Sequence, residues 1–331
     1  ALGALLFAER RVGGGESPFA PNASAVPSSQ VEREAIAARQ EQTEVFPLLL
    51  FSVAGMMVFV AANDLLVMFV ALEILSFPLY VLSGMARRRR LLSQEASLKY
   101  FLLGGLSSAI FLYGIALVFG YAGSFYFRDI DLAIQANAQS PWLLLCGLGM
   151  VAIGVLFKIG AVPFHNWVPD VYQGAPTPVT AFMAICTKLA ATMGLLRLLY
   201  VALGSLRWDW QPMLAVVAVL SMLVGSLVGL VLTDVKGLLA YSSVAHAGFI
   251  LVGVIGAVTT VNGLGDDRVG SVSAILIYLA AYGLATMGAF AIVTLVRRSG
   301  AEATSYASWA GLCRRDPMLG VLMTIFLLSM A

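Results

Sequence analysis

Residues 154–190 read GVLFKIGAVPFHNWVPDVYQGAPTPVTAFMAICTKLA, and they decide the architecture of the chain. An apolar run carrying Lys158 is interrupted at Gly160 and Pro163, and a second apolar run then carries Lys188. Proline lacks an N–H and obstructs the carbonyl four residues before it, so helical bonding fails near this point. Unsatisfied backbone at membrane depth survives only where it is buried in protein or lines a hydrated cavity. An ammonium group in hydrocarbon is costly, which makes an intramembrane lysine a functional residue by default. Two of them, one beside a helix break, point to a charge pathway rather than a passive anchor.

Working outward, the apolar character extends over most of the chain. Its 331 residues are 60% hydrophobic and 11% charged, with a mean hydropathy of +0.90. A soluble domain carries about a quarter charged residues. Apolar runs occupy 46–61, 65–84, 95–119, 142–160, 177–203, 212–232, 238–256, 272–296 and 317–331. A bilayer core needs roughly 20 helical residues, which these runs fit, whereas strands of that length would be far too long. The expected fold class is an all-α polytopic membrane protein. Residues 1–8 read as the tail of an earlier helix, and the last run stops short of a full span, so truncation at both ends is expected. Between Glu9 and Glu44 the chain is rich in Gly, Pro, Ser, Ala and charge, a flexible connection with a short amphipathic helix near Val31–Arg39.

The distribution of charge tests this parsing. Alternate crossings place Arg10, Arg11, Arg33, Arg39, Arg87, Arg88, Arg89, Arg90, Lys236, Arg297, Arg298, Arg314 and Arg315 on one side, and only Arg128, Arg207 and Arg268 on the other. The richer side faces the cytoplasm by the positive-inside rule. The basic residues follow topology, and no basic stripe with interleaved aromatics suggests nucleic acid. Cys146, Cys186 and Cys313 have no disulfide or metal spacing and read as small buried hydrophobes.

Lys99, Lys158, Lys188 and Arg197 remain within the spans; Arg197 is close enough to the outer end of its helix to snorkel. Glu73 lies near the middle of the 65–84 run. It is either half of a fixed ion pair that locks helix packing or half of a proton-linked pair, because pairing and burial push its ionisation in opposite directions. His165 follows the break, and His246 lies mid-run in LAYSSVAHAGF. His246 is either a proton relay, with Ser242 and Ser243 holding water beside it, or a satisfied core histidine. Depth argues against a bis-histidine haem. Gly225 and Gly229 form a GxxxG of the kind that brings helices close.

Four strings, ANDLLVMFVALEILSFPLYVLSG, EASLKYFLLGGLSSAIFLYGIALVFGYAG, FKIGAVPFHNWVPDVYQGAPTPVTAF and DVKGLLAYSSVAHAGF, occur in an order and spacing that resemble the subunit N family of proton-pumping NADH:quinone oxidoreductase, respiratory complex I. The resemblance covers roughly Glu44 to Ala331. It implies antiporter-like inverted repeats with broken transmembrane helices: 1–44 the end of an earlier helix plus a cytoplasmic connection, 45–203 a first repeat, and 204–331 a second, incomplete one. It implies a multi-pass protein of the bacterial cytoplasmic membrane, partnered by the other membrane subunits of the complex and by lipid. Glu73, Lys158 and Lys188 match the family's proton-pathway residues, with Lys99, His246 and His165 as candidate relay positions. NADH, FMN, iron–sulfur clusters and quinone are implied in other subunits, and no cofactor or metal in this chain. The broken-helix lysine of the second repeat is expected beyond Ala331.

The expected function is proton translocation coupled to electron transfer elsewhere in an enzyme complex. The alternative is a subunit of a Mrp-type cation/proton antiporter, and a third reading is a membrane scaffold. A sodium site wants several oxygens at one depth, and the spans offer chiefly lysines. Retaining uncompensated intramembrane charge without a role is costly, which argues against the scaffold.

Overall fold

The computed structural model describes residues 26, 29–37, 44–86, 90–136, 141–256, 267–298 and 301–330. The expected helix tail at 1–8 and the arginines at 87–89 lie outside the described residues. Among the described residues, seven helices are long and apolar enough to cross a membrane, and two shorter apolar ones accompany them. In chain order the helices are α1 (Gln30–Ala37), α2 (Val45–Ala61), α3 (Leu65–Ser83), α4 (Arg90–Ala122), α5 (Phe127–Gln135), α6 (Pro141–Ile159), α7 (Trp167–Gly174), α8 (Thr177–Ala202), α9 (Arg207–Val231), α10 (Val235–Gly256), α11 (Asp267–Leu295) and α12 (Pro317–Met330). The expected runs and these helices agree to within a few residues at most ends, because long apolar runs leave the backbone no other way to satisfy its hydrogen bonds in lipid.

The interior is mainly apolar with a minority of polar side chains buried in it, and the outer surface is apolar too. On α9 the exposed residues Val216, Leu220, Leu223, Leu227 and Leu230 recur at helical spacing and form a lipid-facing stripe. The opposite face of α9 meets α10 at close range. A Cβ placed on Gly225 would stand 2.5 Å from the backbone nitrogen of Ala245, and one on Gly248 would stand 2.6 Å from the Ala218 carbonyl oxygen. Gly229 is looser, with its nearest neighbour at 3.8 Å. The motif read from the sequence thus holds the helices together at one of its two glycines, reinforced from the other helix by Gly248.

The break after Lys158 is made by Gly160. Helix α6 stops at Ile159, Gly160 adopts φ +79°, and the chain turns through 161–166 before α7 resumes. Only glycine enters that left-handed region without strain. The freed backbone groups are taken up inside the protein. The indole of Trp167 donates to the Phe157 carbonyl (2.9 Å), and the Val162 N–H donates to Ser221 Oγ of α9 (2.9 Å). α8 is itself irregular: its 183–187 stretch winds as a π-helix immediately before Lys188, a distortion common at functional sites.

One capping device recurs at opposite ends of the bundle. Asp64 accepts from the N–H groups of Leu66 and Val67 (2.8 and 2.9 Å) and caps α3, while its backbone bridges to Tyr126. Asp234 accepts from the Gly237 N–H (2.9 Å) at the start of α10 and bridges to Ser305. By the charge distribution, α3 starts on the outer side and α10 on the cytoplasmic side. Equivalent starts of opposite sense are the mark of an inverted repeat.

Arg297–Arg298 (β1) and Ala301–Glu302 (β2) pair antiparallel beside the helices; two-residue strands are too short to leave a period in the sequence. Two expectations need correction. Cys146 is exposed on the surface of α6, and Cys313 is exposed too, so neither is a buried hydrophobe. Lys236, counted among the loop cations, is 1% exposed. Its ammonium sits 2.8 Å from the Glu302 carboxylate on β2 and donates to the Ala175 carbonyl (3.3 Å). Glu302 also accepts from Thr177 Oγ1 (2.6 Å). A cation in the first turn of a helix opposes the helix dipole, and the neighbouring carboxylate offsets it.

Candidate functional site

The titratable residues in the membrane gather in two interior clusters. The first is built on α3, α4 and α6. Lys158, 3% exposed in the last turn of α6, donates to Tyr80 Oη at 3.3 Å. Its ammonium also lies 5.3 Å from the Tyr80 ring, 5.7 Å from Tyr100 and 5.6 Å from Phe157. Aromatic faces stabilise a desolvated cation, and here they replace much of the water that the ammonium loses. Tyr100 in turn stacks on Trp167, ring centroids 4.6 Å apart, so the start of α7 braces this box.

Glu73 is on α3, seven residues before Tyr80 and therefore on the same helix face. It is within Coulombic range of both Tyr80 and Lys158, but no Glu73–Lys158 contact falls within ion-pair distance. The direct pair anticipated from the sequence is thus replaced by an indirect one. Tyr80 reaches the ammonium first, because its long side chain spans the gap from α3 while the shorter carboxylate sits about two turns away. Glu73 Oε1 is buried with no hydrogen-bond partner.

The second cluster joins α8, α10 and α11. Lys188, also 3% exposed, donates to the carbonyl of Ser243 and to its Oγ, the latter at 2.6 Å. His246 lies one turn further along α10, and its Nδ1 is 2.5 Å from Tyr278 Oη. The Tyr282 ring lies close to both, 5.4 Å from the Lys188 ammonium and 4.5 Å from the His246 ring. Thr192, one turn beyond Lys188, has a buried hydroxyl without a partner.

The remaining sequence candidates sit apart from these clusters. Lys99 is 44% exposed on α4 and ion-paired to Glu95 (2.7 Å) and to Asp170 of α7 (2.8 Å). His165, in the break, is half-buried, with its ring 6.0 Å from Tyr241 and its Nδ1 buried without a partner. Arg197 does reach the helix end: its guanidinium donates to Asn63 in the turn between α2 and α3. Sequence reading missed Tyr80, Tyr282 and Tyr278. Tyr80 was detectable, since it lies at helical spacing from Glu73. The other two gave no signal, because their partners come from distant helices. Among the described residues there is no group of three or more His, Cys, Asp or Glu side chains that could hold a metal.

The chain matches relatives of known kind. It is 59% identical over 329 residues to NADH-quinone oxidoreductase subunit N of Nocardioides sp., a match covering 99% of this chain. It spans 62% of that relative's length, and 61% of a second subunit N at the same identity from Cutibacterium acnes. Its structure is similar to a chain of respiratory complex I from Thermus thermophilus with bound aureothin, with a TM-score of 0.72 and 34% identity over 99% of this chain and 70% of that one. A chain of the Mrp complex from Dietzia sp. shares the fold at 23% identity, with a TM-score of 0.72 over 86% of this chain and 51% of that one. Residues 62–331 match the family model described as NADH:quinone oxidoreductase/Mrp antiporter, TM. That span takes in both clusters and the break between them, and the chain belongs to the NADH:quinone oxidoreductase/Mrp antiporter transmembrane family.

Proposed function

We propose that this chain is a proton-translocating subunit of an NADH:quinone oxidoreductase in a bacterial cytoplasmic membrane, moving protons through Glu73, Lys158 and Lys188. The observation that carries the reading is the environment of the two lysines. Each is a buried ammonium held by hydroxyl, carbonyl and aromatic groups, with no carboxylate in contact. Neither ammonium is locked to a fixed countercharge, which is the arrangement a proton carrier needs. The high identity to subunit N chains supports the assignment to that complex over a Mrp antiporter, which shares the fold alone.

Protons are taken up on the cytoplasmic side beside the broken helix, where Lys99, Asp170 and His165 gather around α7. They pass to Lys158, whose charge responds to Glu73, and then to Lys188 and His246. Lys158 and Lys188 are not in contact, so water carries the transfer between the clusters. Electron transfer, and with it NADH, FMN, iron–sulfur clusters and quinone, belongs to partner subunits. The chain divides into a repeat over 45–203 and another from 204 onward, a division supported by the matched Asp64 and Asp234 caps.

The test is NADH-driven proton uptake into inverted vesicles carrying the full-length chain within the assembled complex. Lys158→Ala and Lys188→Ala should each abolish most of the uptake with assembly intact. Unchanged uptake would leave a scaffold; persistence of uptake only with a sodium gradient would favour the antiporter.

A further inference from the structure

The polar groups around Glu73 form a pattern that the two-lysine scheme does not use. α3 and α4 run antiparallel: Ser97 Oγ donates to the Tyr80 carbonyl (2.6 Å) at one level, and Phe69 stacks on Phe111 (6.4 Å) at another. Interpolating between these contacts sets residue 73 of α3 opposite about residue 106 of α4, less than a turn from Ser107 and Ser108. At that depth three buried polar atoms have no protein partner: Glu73 Oε1, Ser107 Oγ and Ser108 Oγ. The two serines are 4% and 5% exposed. Buried polar atoms are nearly always hydrogen-bonded, and where protein does not supply the partner, ordered water does. One orphaned hydroxyl has little weight, but two within a turn of an orphaned carboxylate oxygen describe a polar pocket.

Tyr80 closes the lower end of this pocket. Its hydroxyl accepts from Lys158 and faces Ser76, which lies between Tyr80 and Glu73 on the same helix face. Gly104 of α4 makes the room: a Cβ there would stand 2.1 Å from Tyr80 Oη. The phenol is therefore held by packing on every side, including an edge-on contact with Tyr100 at 4.7 Å.

We propose that Tyr80, together with water held by Ser107 and Ser108, is the link through which a proton passes between Lys158 and Glu73. The inference deepens the proton-pathway reading and rests on it. In the transfer, the Lys158 ammonium gives a proton to Tyr80 Oη as the Tyr80 O–H releases its own. Ser76 or water then hands that proton to the Glu73 carboxylate. Lysine ends neutral, glutamate ends protonated and tyrosine is unchanged, so no tyrosinate accumulates. The reverse transfer restores the charged state.

The test compares Tyr80→Phe with Ser107→Ala/Ser108→Ala in the assembled complex, reading proton uptake, NADH oxidation and the infrared difference band of a protonated carboxyl. That band is assigned to Glu73 by its loss in Glu73→Gln. Phenylalanine keeps the ring and its contacts and removes only the hydroxyl. Uptake should fall about tenfold in Tyr80→Phe, the loss expected for one hydrogen-bonded link, and the Glu73 band should vanish although Glu73 is intact. The double serine variant should lose several-fold. Normal uptake and an intact band in Tyr80→Phe, while Lys158→Ala abolishes uptake, would overturn this link and leave the pathway standing. Normal uptake in Lys158→Ala overturns both. Should Tyr80→Phe fail to assemble, the serine variant decides alone, and unchanged uptake there counts against the proposal.

Discussion

Lys188 is bound twice by Ser243, through the serine hydroxyl at 2.6 Å and through the main-chain carbonyl of the same residue. The carbonyl of a helix residue is normally engaged along the helix, so this lysine draws on backbone of α10 as well as side chain. A helix that passes Lys188 thereby also carries His246, one turn away, toward the same interior.

Ser243→Ala should therefore weaken the hold on Lys188 without emptying the site, because the carbonyl remains. The expected loss is about 1–3 kcal/mol of interaction with the charged form, seen as several-fold slower proton uptake with assembly unaffected. Ser243→Thr, which restores a hydroxyl, should recover most of it. Equal damage from both variants would instead indicate a packing defect.

The Lys236–Glu302 pair predicts a structural phenotype of a different kind. Glu302→Ala leaves a nearly buried ammonium beside the start of α10, and breaking a buried pair from one side costs about 3–5 kcal/mol. Thermal denaturation of the assembled complex should show the loss. Adding Lys236→Met to Glu302→Ala should restore much of the stability, since an apolar chain of similar volume leaves no charge to satisfy. No recovery in the double variant would mean that the pair contributes something besides neutralisation.

Gly225 and Gly229 should separate cleanly. Gly225→Ala places a methyl group 2.5 Å from the Ala245 backbone nitrogen and must push α9 from α10. Overpacking of this kind costs about 1–3 kcal/mol. Gly229→Ala has room, with contacts at 3.8 Å and beyond, and should be neutral or slightly stabilising by helix propensity. Melting temperatures of the two variants, measured in detergent, check the order; a reversal would contradict the helix contact described here.

Lys99 is expected to behave as a group at the mouth of the pathway. Its ion pairs with Glu95 and Asp170 are exposed, and exposed pairs add little to stability. Lys99→Gln should leave stability unchanged and reduce uptake by no more than about twofold, with the difference shrinking as salt is raised. A loss as large as that of Lys158→Ala would put Lys99 on the main line instead.

Much of the architecture was legible in the residues alone, and for a simple reason. A lipid core tolerates only helices of sufficient length, so each long apolar run has one outcome, and Arg and Lys in the short loops orient the set. The break was legible too, although Gly160 rather than Pro163 ends the helix. Glu73, Lys158 and Lys188 stood out because charge is rare in hydrocarbon.

Which groups those charges meet was settled only by the packing of helices far apart in sequence. Tyr80 instead of Glu73 touches Lys158; Ser243 and Tyr282, from two different helices, surround Lys188; and Lys236 leaves the loops for a buried ion pair. Hydropathy records how deep a residue lies along its helix. It does not record the rotation of that helix about its axis, and a turn of 100° separates a lysine that faces lipid from one that faces a phenol.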